Sequence, residues 1–359
     1  MAKIEIVGWA ETLENSGENI LDSAMAQGVP FPFSCGSGDC GACKARLLEG
    51  EVDLAPCPDG ILSQQERAQG YLLACRAKPK GDIRIEPVNE LVELPLARRM
   101  RGRVVEQSYL SQDVVLLRVR TRRRIDYLPG QYFNLKFDNL PARAYSVASV
   151  PSDETLEFHI RIVPDGKTSN HVARDGILGG EVQVDGPHGH GFWREKHRGP
   201  VIAIGGGTGL APMLSIVRAA LKDDPRRPIH LYYAGREETD VYCEDTLVAL
   251  ADRHPGIRLG IALSRATPAA AGGRVPRRYQ RVTHSLAEDW SDLGEAKVYV
   301  AGPPKMVAAI AETVRTRGLP VRDLHTDPFS DAANHRIDGR LKTWMRRRMA
   351  SVRTRLGVM

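Results

Sequence analysis

The pattern of hydrophobic and polar positions takes three forms in turn along most of the chain. Over the first 95 residues the apolar runs are short. Lys3 to Val7, Val52 to Leu54 and Ile83 to Ile85 read as strands, and Ile20 to Gln27 reads as a helix that stops at Gly28 with Pro30 beyond. That mixture predicts a small α+β module. From about residue 100 to 195, brief apolar runs are separated by turn residues. They are Val104-Val105, Val114 to Val119, Tyr132 to Phe137, Tyr145 to Val150, Leu156 to Ile162 and Val182 to Val184, with Pro129-Gly130 and Pro164-Asp165-Gly166 between them. Strands at this spacing predict an antiparallel barrel. After about residue 197 strand and helix alternate. Val201 to Ile204 precedes Leu210 to Leu221, Ile229 to Tyr233 precedes Cys243 to Ala251, Ile257 to Leu263 follows, Val298 to Ala301 precedes Lys305 to Thr316, and Val321 to His325 closes the series as a strand. Such alternation predicts βαβ units and a parallel sheet, with ligands at the carboxyl ends of its strands. No internal repeat is visible.

Composition adds bounds to this outline. A length of 359 residues favours two to three domains, and 42% hydrophobic content with a mean hydropathy of -0.30 suits ordinary soluble cores. No stretch approaches the roughly 18 apolar residues of a membrane span. The start, Met1 to Val7, lacks the features of a signal peptide, so a cytoplasmic location is expected. Six cysteines are too few for a secreted disulfide scaffold. The net charge of +6 averages unlike parts: residues 1 to 95 carry -7, residues 334 to 359 carry +7, and the middle carries the rest. No signature of a nucleic-acid-binding module occurs in the body of the chain, and no nucleic-acid partner is expected. The Pro-, Glu- and Leu-rich segment Glu86 to Leu96, followed by Arg98-Arg99-Met100-Arg101, marks a boundary.

Four cysteines carry the most specific chemistry. Cys35, Cys40 and Cys43, with Cys75 beyond a further 31 residues, have the C-x4-C-x2-C…C spacing of a plant-type 2Fe-2S ferredoxin. Four thiolates must converge on two irons. A loop tight enough to deliver three of them needs glycines that let its amides turn toward the sulfurs, and Gly36, Gly38 and Gly41 stand there. A zinc site or buried free thiols are the plainer alternatives, but zinc sites commonly pair two C-x2-4-C knuckles, which a lone distal Cys75 does not supply. Cys57 and Cys243 have no such context and read as ordinary thiols.

Two tetrapeptides stand in the barrel region, Arg143-Ala144-Tyr145-Ser146 and Gly166-Lys167-Thr168-Ser169, separated by 19 residues. An Arg fork suits a pyrophosphate, a Tyr ring can lie along an isoalloxazine face, and a Ser hydroxyl can bond the flavin N5 edge. Gly166 lets the amides opening a helix at Ser169 to Ala173 meet phosphate. Either tetrapeptide alone fits an ordinary strand or a capped helix start. Together they resemble the R-x-Y-S and G-x-x-S elements of the ferredoxin-NADP reductase superfamily. Gly186-Pro187-His188-Gly189-His190-Gly191 is similar to that family's G-P-x-G turn, with its two histidines expected in a solvated loop.

The strand Val201 to Ile204 runs into Gly205-Gly206-Gly207-Thr208-Gly209, a turn in which glycines let a pyrophosphate approach the backbone at a helix N-terminus. It resembles the superfamily's G-G-G-T-G-x-A-P element over its whole length. Ala301-Gly302-Pro303-Pro304-Lys305-Met306 resembles the C-G-P-P-x-M element with alanine where the family cysteine stands, which puts the speed of hydride transfer in question while leaving the backbone role of Gly302-Pro303 and the place of Met306. After the second strand, Glu237, Glu238 and Asp240 would bond a free ribose 2′-hydroxyl whereas Arg236 could accept a 2′-phosphate. The two signals conflict; NADH is favoured, with NADPH open. Phe329, after Asp327-Pro328, is either the aromatic that the resemblance places over the flavin, beside Ser146 in the reaction, or a plain core residue.

The resemblance covers residues 1 to about 330 and implies a multidomain α+β and α/β chain: a β-grasp-like 2Fe-2S ferredoxin over 1-92, an antiparallel β-barrel flavin domain over 98-196 and a parallel α/β nicotinamide domain over 197-330. This order resembles the reductase components of bacterial multicomponent oxygenases. Gly205 to Val217 and Trp193 to Pro200 carry a closer likeness to those of naphthalene-type ring-hydroxylating dioxygenases. It implies FAD and a 2Fe-2S cluster as cofactors, NADH as donor, and a separate ferredoxin or terminal oxygenase as acceptor. A reductase for a diiron monooxygenase or a deoxysugar dehydratase, and a non-catalytic iron-sulfur sensor, are the rival readings. Residues 331-359 lie outside the resemblance. There Ile337, Leu341, Trp344, Met345, Met349, Val352 and Leu356 recur at intervals of three and four among arginines, a basic amphipathic helix that can lie on an anionic membrane, dock an acidic partner or pack on its own protein.

Overall fold

The computed structural model describes residues 2–174, 176–268 and 273–329. The chain divides into two compact units, one holding residues up to Leu94 and the other Pro95–Phe329.

The first unit is built from β1 (Lys3–Ile6), β2 (Leu13–Glu14), α1 (Ile20–Ala26), β3 (Lys44–Glu49), β4 (Val52–Leu54), α2 (Gln64–Ala68), β5 (Tyr71–Leu73), β6 (Ala77–Pro79) and β7 (Ile83–Pro87). Its five-stranded sheet runs β2-β1-β7-β3-β5, with β1 and β7 parallel and the other pairs antiparallel; β4 and β6 form a separate ribbon. The period-2 pattern of β1 sends Ile4 and Ile6 inward to a core shared with Ile20, Leu21, Phe31 and Ile85. The helix α1 starts where Asn19 accepts the amide of Asp22 and stops before Gly28, whose φ of +82° ends it without a Cβ penalty. The short α2, which apolar periodicity cannot reveal, is carried by a capping box: Ser63 accepts the Glu66 amide and Glu66 accepts the Ser63 amide.

The second unit begins with β8 (Arg98–Tyr109), β9 (Val114–Thr121), β10 (Tyr132–Lys136), β11 (Arg143–Ser146), β12 (Leu156–Arg161), α3 (Lys167–Val172) and β13 (Glu181–His188). These strands form an antiparallel sheet in the order β11-β10-β13-β8-β9-β12, and a Val147–Phe158 bridge joins its two edges into a barrel. The arginines read as a boundary lie inside β8, where Arg99 and Arg101 pair across to Asp185 and Glu181. The helix expected at Ser169 begins two residues earlier.

The same unit continues with β14 (Val201–Gly206), α4 (Leu210–Asp223), β15 (Ile229–Gly235), α5 (Glu244–Arg253), β16 (Ile257–Leu263), β17 (Arg277–Arg278), α6 (Val282–Asp289), β18 (Lys297–Gly302), α7 (Pro304–Arg315) and β19 (Leu324–Pro328). All pairings in its sheet, β17-β16-β15-β14-β18-β19, are parallel. The chain leaves β14 toward β15 and returns to its other side with β18, so the topological switch point lies between β14 and β18, where such sheets bind ligands. Val321–Asp323 is a 3-10 turn, and the last strand starts at Leu324, three residues later than the apolar pattern indicates. The basic tail falls outside the described residues.

Candidate functional site

In the first unit the loop between α1 and β3 brings the cysteines together. Cys43 ends the loop, Cys75 follows β5, and the pairing of β3 with β5 sets their sulfurs 3.3 Å apart, both buried. The Cys35 amide donates to the Cys40 sulfur and the Ser37 amide to the Cys35 sulfur, each at 3.4 Å. Gly36, Gly38 and Gly41 all have positive φ, the conformation that turns these amides inward. A hydrogen bond from the Cys40 thiol, with help from Ser37, holds the Cys35 thiol down at about 5, while the Cys40 and Cys75 thiols are pushed up by their neighbouring thiols and by burial. Among the described residues no three or more His, Cys, Asp or Glu side chains stand ready to hold one metal ion. The four thiols instead meet as two pairs, Cys35 with Cys40 and Cys43 with Cys75. That donor set fits a two-iron cluster, each iron taking two thiolates, better than a zinc tetrahedron. Cys57 and Cys243 take no part; Cys243 opens α5 at a φ of +59°.

In the second unit β11 places the flavin candidates. Arg143 and Tyr145 share one side of the strand, with Ala144 and Ser146 on the other. Among the described residues Arg143 meets the Ala142 carbonyl at 3.0 Å and no carboxylate, which leaves most of its fork for an anion. Tyr145 is largely covered, and burial pushes its phenol up to about 12. Gly166 caps α3 where a Cβ would stand 2.5 Å from the Ser169 hydroxyl, so only glycine admits that hydroxyl, which donates to the Gly166 carbonyl and accepts the Val163 amide. Thr168 anchors the loop through the Pro141 carbonyl, and Lys167 is exposed with no ion pair among the described residues. Gly186 packs edge-on to the Phe133 ring before a cis Pro187.

The histidines after it are not solvated. His188 ends β13 with Asp185 at 3.3 Å, and His190 is 5% exposed, its burial pushing it down to about 3. The local sequence reads as a loop because its glycines and prolines do. The long β13 and its neighbours bury it all the same.

At the switch point the glycines are required by packing as well as by approach. A Cβ on Gly205 would meet the Leu210 backbone at 2.7 Å, on Gly206 the Met306 thioether at 2.6 Å, and on Gly209 the Ala301 carbonyl at 2.2 Å. Met306 thus lies against the glycine turn. Ala301 is fully buried among core residues such as Leu210 and Met213. Phe329, partly buried against the same core, is held by its amide to the Gly302 carbonyl at 2.8 Å. Past β15, Asp240 accepts the amides of Arg236 and Glu237 at 2.7 and 3.1 Å, and Glu238 pairs with Arg277 at 2.8 Å. Of these acids Glu237 is the one that stays exposed, beside an exposed Arg236 with no carboxylate partner among the described residues.

One contact missing from the sequence reading joins the two halves of this unit. The Ser146 hydroxyl, from the barrel, donates to the Asp327 carboxylate, at the end of β19, at 3.1 Å. Asp327 stands two residues before Phe329 in Asp327-Pro328-Phe329, but nothing in spacing alone ties it to a residue 181 positions earlier.

Comparisons with known proteins agree with this arrangement. Residues 5–80 match the family model of the 2Fe-2S iron-sulfur cluster binding domain, 101–193 that of the oxidoreductase FAD-binding domain, and 203–312 that of the oxidoreductase NAD-binding domain. The chain is 36% identical over 317 residues to the ferredoxin--NAD(P)(+) reductase component of the naphthalene 1,2-dioxygenase/salicylate 5-hydroxylase systems of Ralstonia sp., covering 88% of this chain and 94% of the relative. The chain belongs to the ferredoxin–NAD(P)+ reductase components of multicomponent oxygenase systems. The corresponding naphthalene 1,2-dioxygenase component of Pseudomonas putida is 35% identical over the same share of both chains. Among solved structures, the Amycolatopsis cytochrome P450 reductase GcoB superposes with a TM-score of 0.67 at 30% identity, covering 92% of this chain and all of the other. This reductase is therefore an oxidoreductase of 2Fe-2S, FAD and NAD type, and no described helix is long and apolar enough to cross a membrane.

Proposed function

We propose that this reductase carries electrons from NADH through FAD and its 2Fe-2S cluster to a separate ferredoxin or the terminal oxygenase of an aromatic-ring dioxygenase system. When bound, the flavin supplies the exchange between a two-electron hydride and single electrons, and the cluster accepts them singly. Cys35, Cys40, Cys43 and Cys75 would hold the irons. Arg143 and the loop Gly166 to Ser169 would take the flavin phosphates, with Tyr145 along the ring and Gly186-Pro187 beside it. Gly205 to Gly209, Gly302-Pro303 and Met306 would receive the coenzyme. Ser146 would hold a proton at the flavin edge with Asp327 as its acceptor, and Phe329 would cover the ring. The reading treats 1-92, 98-196 and 197-330 as the three working domains.

The Ser146–Asp327 hydrogen bond carries the reading, because it joins the flavin motif of the barrel to the carboxyl end of the nicotinamide sheet. NADH is proposed over NADPH because the exposed Glu237 at the ribose end offsets its neighbour Arg236, the cation there that could hold a 2′-phosphate. The basic tail, +7 over residues 334 to 359, is proposed to dock an acidic partner protein.

An anaerobic titration followed at the flavin and cluster bands tests this. Bleaching of both by a small excess of NADH, and more weakly by NADPH, is expected. A protein without flavin, or one whose flavin neither coenzyme reduces, overturns it. In the same assay a chain ending at residue 330 should reduce its own cofactors normally but pass electrons more slowly to the acidic acceptor.

A further inference from the structure

Strand β12 is buried on both faces. Leu156, Phe158 and Ile160 fill the barrel core, while Glu157 and His159 on the opposite face are 7% and 5% exposed. A carboxylate and an imidazole buried on the outside of a barrel are costly unless something pairs them. Arg118, directly across on β9, places Nε and Nη2 2.9 and 2.8 Å from one Glu157 oxygen. The other oxygen lies 3.4 Å from His159 Nε2. His159 Nδ1 is 3.3 Å from the hydroxyl of Tyr242, whose ring meets the imidazole edge-on at 5.5 Å. Tyr242 is 2% exposed, and its hydroxyl donates to the Gly207 carbonyl at 3.3 Å. Against the pull of burial, His159 and Arg118 hold the Glu157 carboxyl down at about 2, so the inner end of the chain is an anion at neutral pH.

Gly207 belongs to the glycine turn and has a φ of +56°. In a trans peptide the C=O and the following N–H point in opposite directions. The Gly207 carbonyl is held by the Tyr242 hydroxyl as well as by the Leu210 amide, so the Thr208 amide of the same peptide points the other way, away from Tyr242 and from the start of α4. Resting on the reading of Gly205 to Gly209 as the dinucleotide turn, we propose that Glu157, His159 and Tyr242 are positioning residues through which the flavin barrel holds the Gly207–Thr208 peptide ready to donate to the coenzyme pyrophosphate. None of the three touches the reacting atoms. Their effect falls on coenzyme affinity.

Tyr242→Phe keeps the ring and deletes the hydroxyl. With flavin content equal to wild type, the variant should raise KM for NADH about fivefold, the value of one net hydrogen bond, with kcat within twofold. With 1-benzyl-1,4-dihydronicotinamide, a hydride donor that has no phosphate, variant and wild type should behave alike. His159→Leu, which cuts the chain on the barrel side, should weaken NADH by a smaller factor, and the double variant should be no worse than Tyr242→Phe alone. An unchanged KM for NADH in Tyr242→Phe, an equal defect with the phosphate-free donor, or additive losses in the double variant would each overturn the proposal. If Tyr242→Phe loses its flavin, His159→Leu read with the two donors decides by the same criteria. Wild-type protein that uses NADH no better than the phosphate-free donor would instead remove the dinucleotide-turn reading.

Discussion

The cluster module and the reductase body solve the same problem, holding a redox group in protein, in opposite ways. In the module the candidate ligands come mainly from one loop, and three of the four candidate cysteines lie within nine residues. In the body the candidate groups are gathered from Ser146, the glycine turn after β14, the end of β18 and Asp327 at the end of β19. The buried charges differ as well. The module rests on one buried ion pair, Lys44–Glu66 at 2.6 Å, beside the cysteine loop. The body instead buries imidazoles, and the module contains no histidine at all. A site made by a loop depends on what braces the loop. A site made by strand ends depends on the core behind them.

The sharpest way to break this contrast is to remove the brace. Lys44→Met removes the ammonium 2.6 Å from Glu66, 4% exposed, and leaves a buried carboxylate that keeps the Ser63 amide but loses this cation. The module should lose about 3–5 kcal/mol, and bleaching of the cluster on heating should fall by roughly 10 °C or more. Lys44→Met with Glu66→Leu should recover most of it. Flavin reduction by NADH should be unaffected in both. A Lys44→Met protein whose cluster melts at the wild-type temperature would show that the loop is held by its own hydrogen bonds alone.

This difference also accounts for what could be read in advance. The cysteine spacing reports a local loop, so the sequence carries it whole, and the glycine turn after β14 is equally local. Asp327 could not be read because the hydrogen bond to Ser146 spans 181 positions. The Gly and Pro residues around His190 give it the pattern of a solvated loop, whereas its burial is decided by β13 and by what packs on it. The helix α2 was invisible because a capping box, not an apolar face, makes it. The acids after β15 looked free for a ribose. In the folded chain Asp240 is occupied by backbone amides and Glu238 by Arg277.

Acid should separate the two units next. Burial pushes His190 down to about 3 and His230 to about 4, so both are neutral in the folded body. In the unfolded chain they protonate near 6.5. Between 6.5 and those lower values the unfolded state binds the extra protons. The stability is thus complete above about pH 6.5 and is lost as pH falls, by about 2 kcal/mol for each histidine at pH 5. Glu157 adds to the loss only below about 4.5, where its unfolded form takes up a proton that the folded form refuses until about 2. Thermal release of flavin followed from pH 7.5 to 5 should shift downward while cluster bleaching moves much less. Equal shifts would mean that the imidazoles are protonated without loss of fold.

The smallest effect concerns helix ends. The module's α1 and α2 are closed by Asn19 and Ser63, whereas α3, α4 and α7 in the body begin at Gly166, Gly209 and Pro303 with no side-chain cap. The helices α5 and α6 also start uncapped, at Cys243 and Arg281, so it is the glycine or proline start, with its N–H groups left for a ligand, that marks the candidate phosphate and coenzyme loops. Adding a cap should therefore not help there. Gly209→Ser would push a Cβ to 2.2 Å from the Ala301 carbonyl, so it should lower body stability and NADH affinity together. Ser63→Ala should cost the module about 1 kcal/mol, read in cluster bleaching, and leave NADH affinity untouched. If Ser63→Ala weakened NADH binding, or Gly209→Ser stabilised the body, the glycine start of α4 would not be kept for a ligand, and the contrast between the units would reduce to their buried charges.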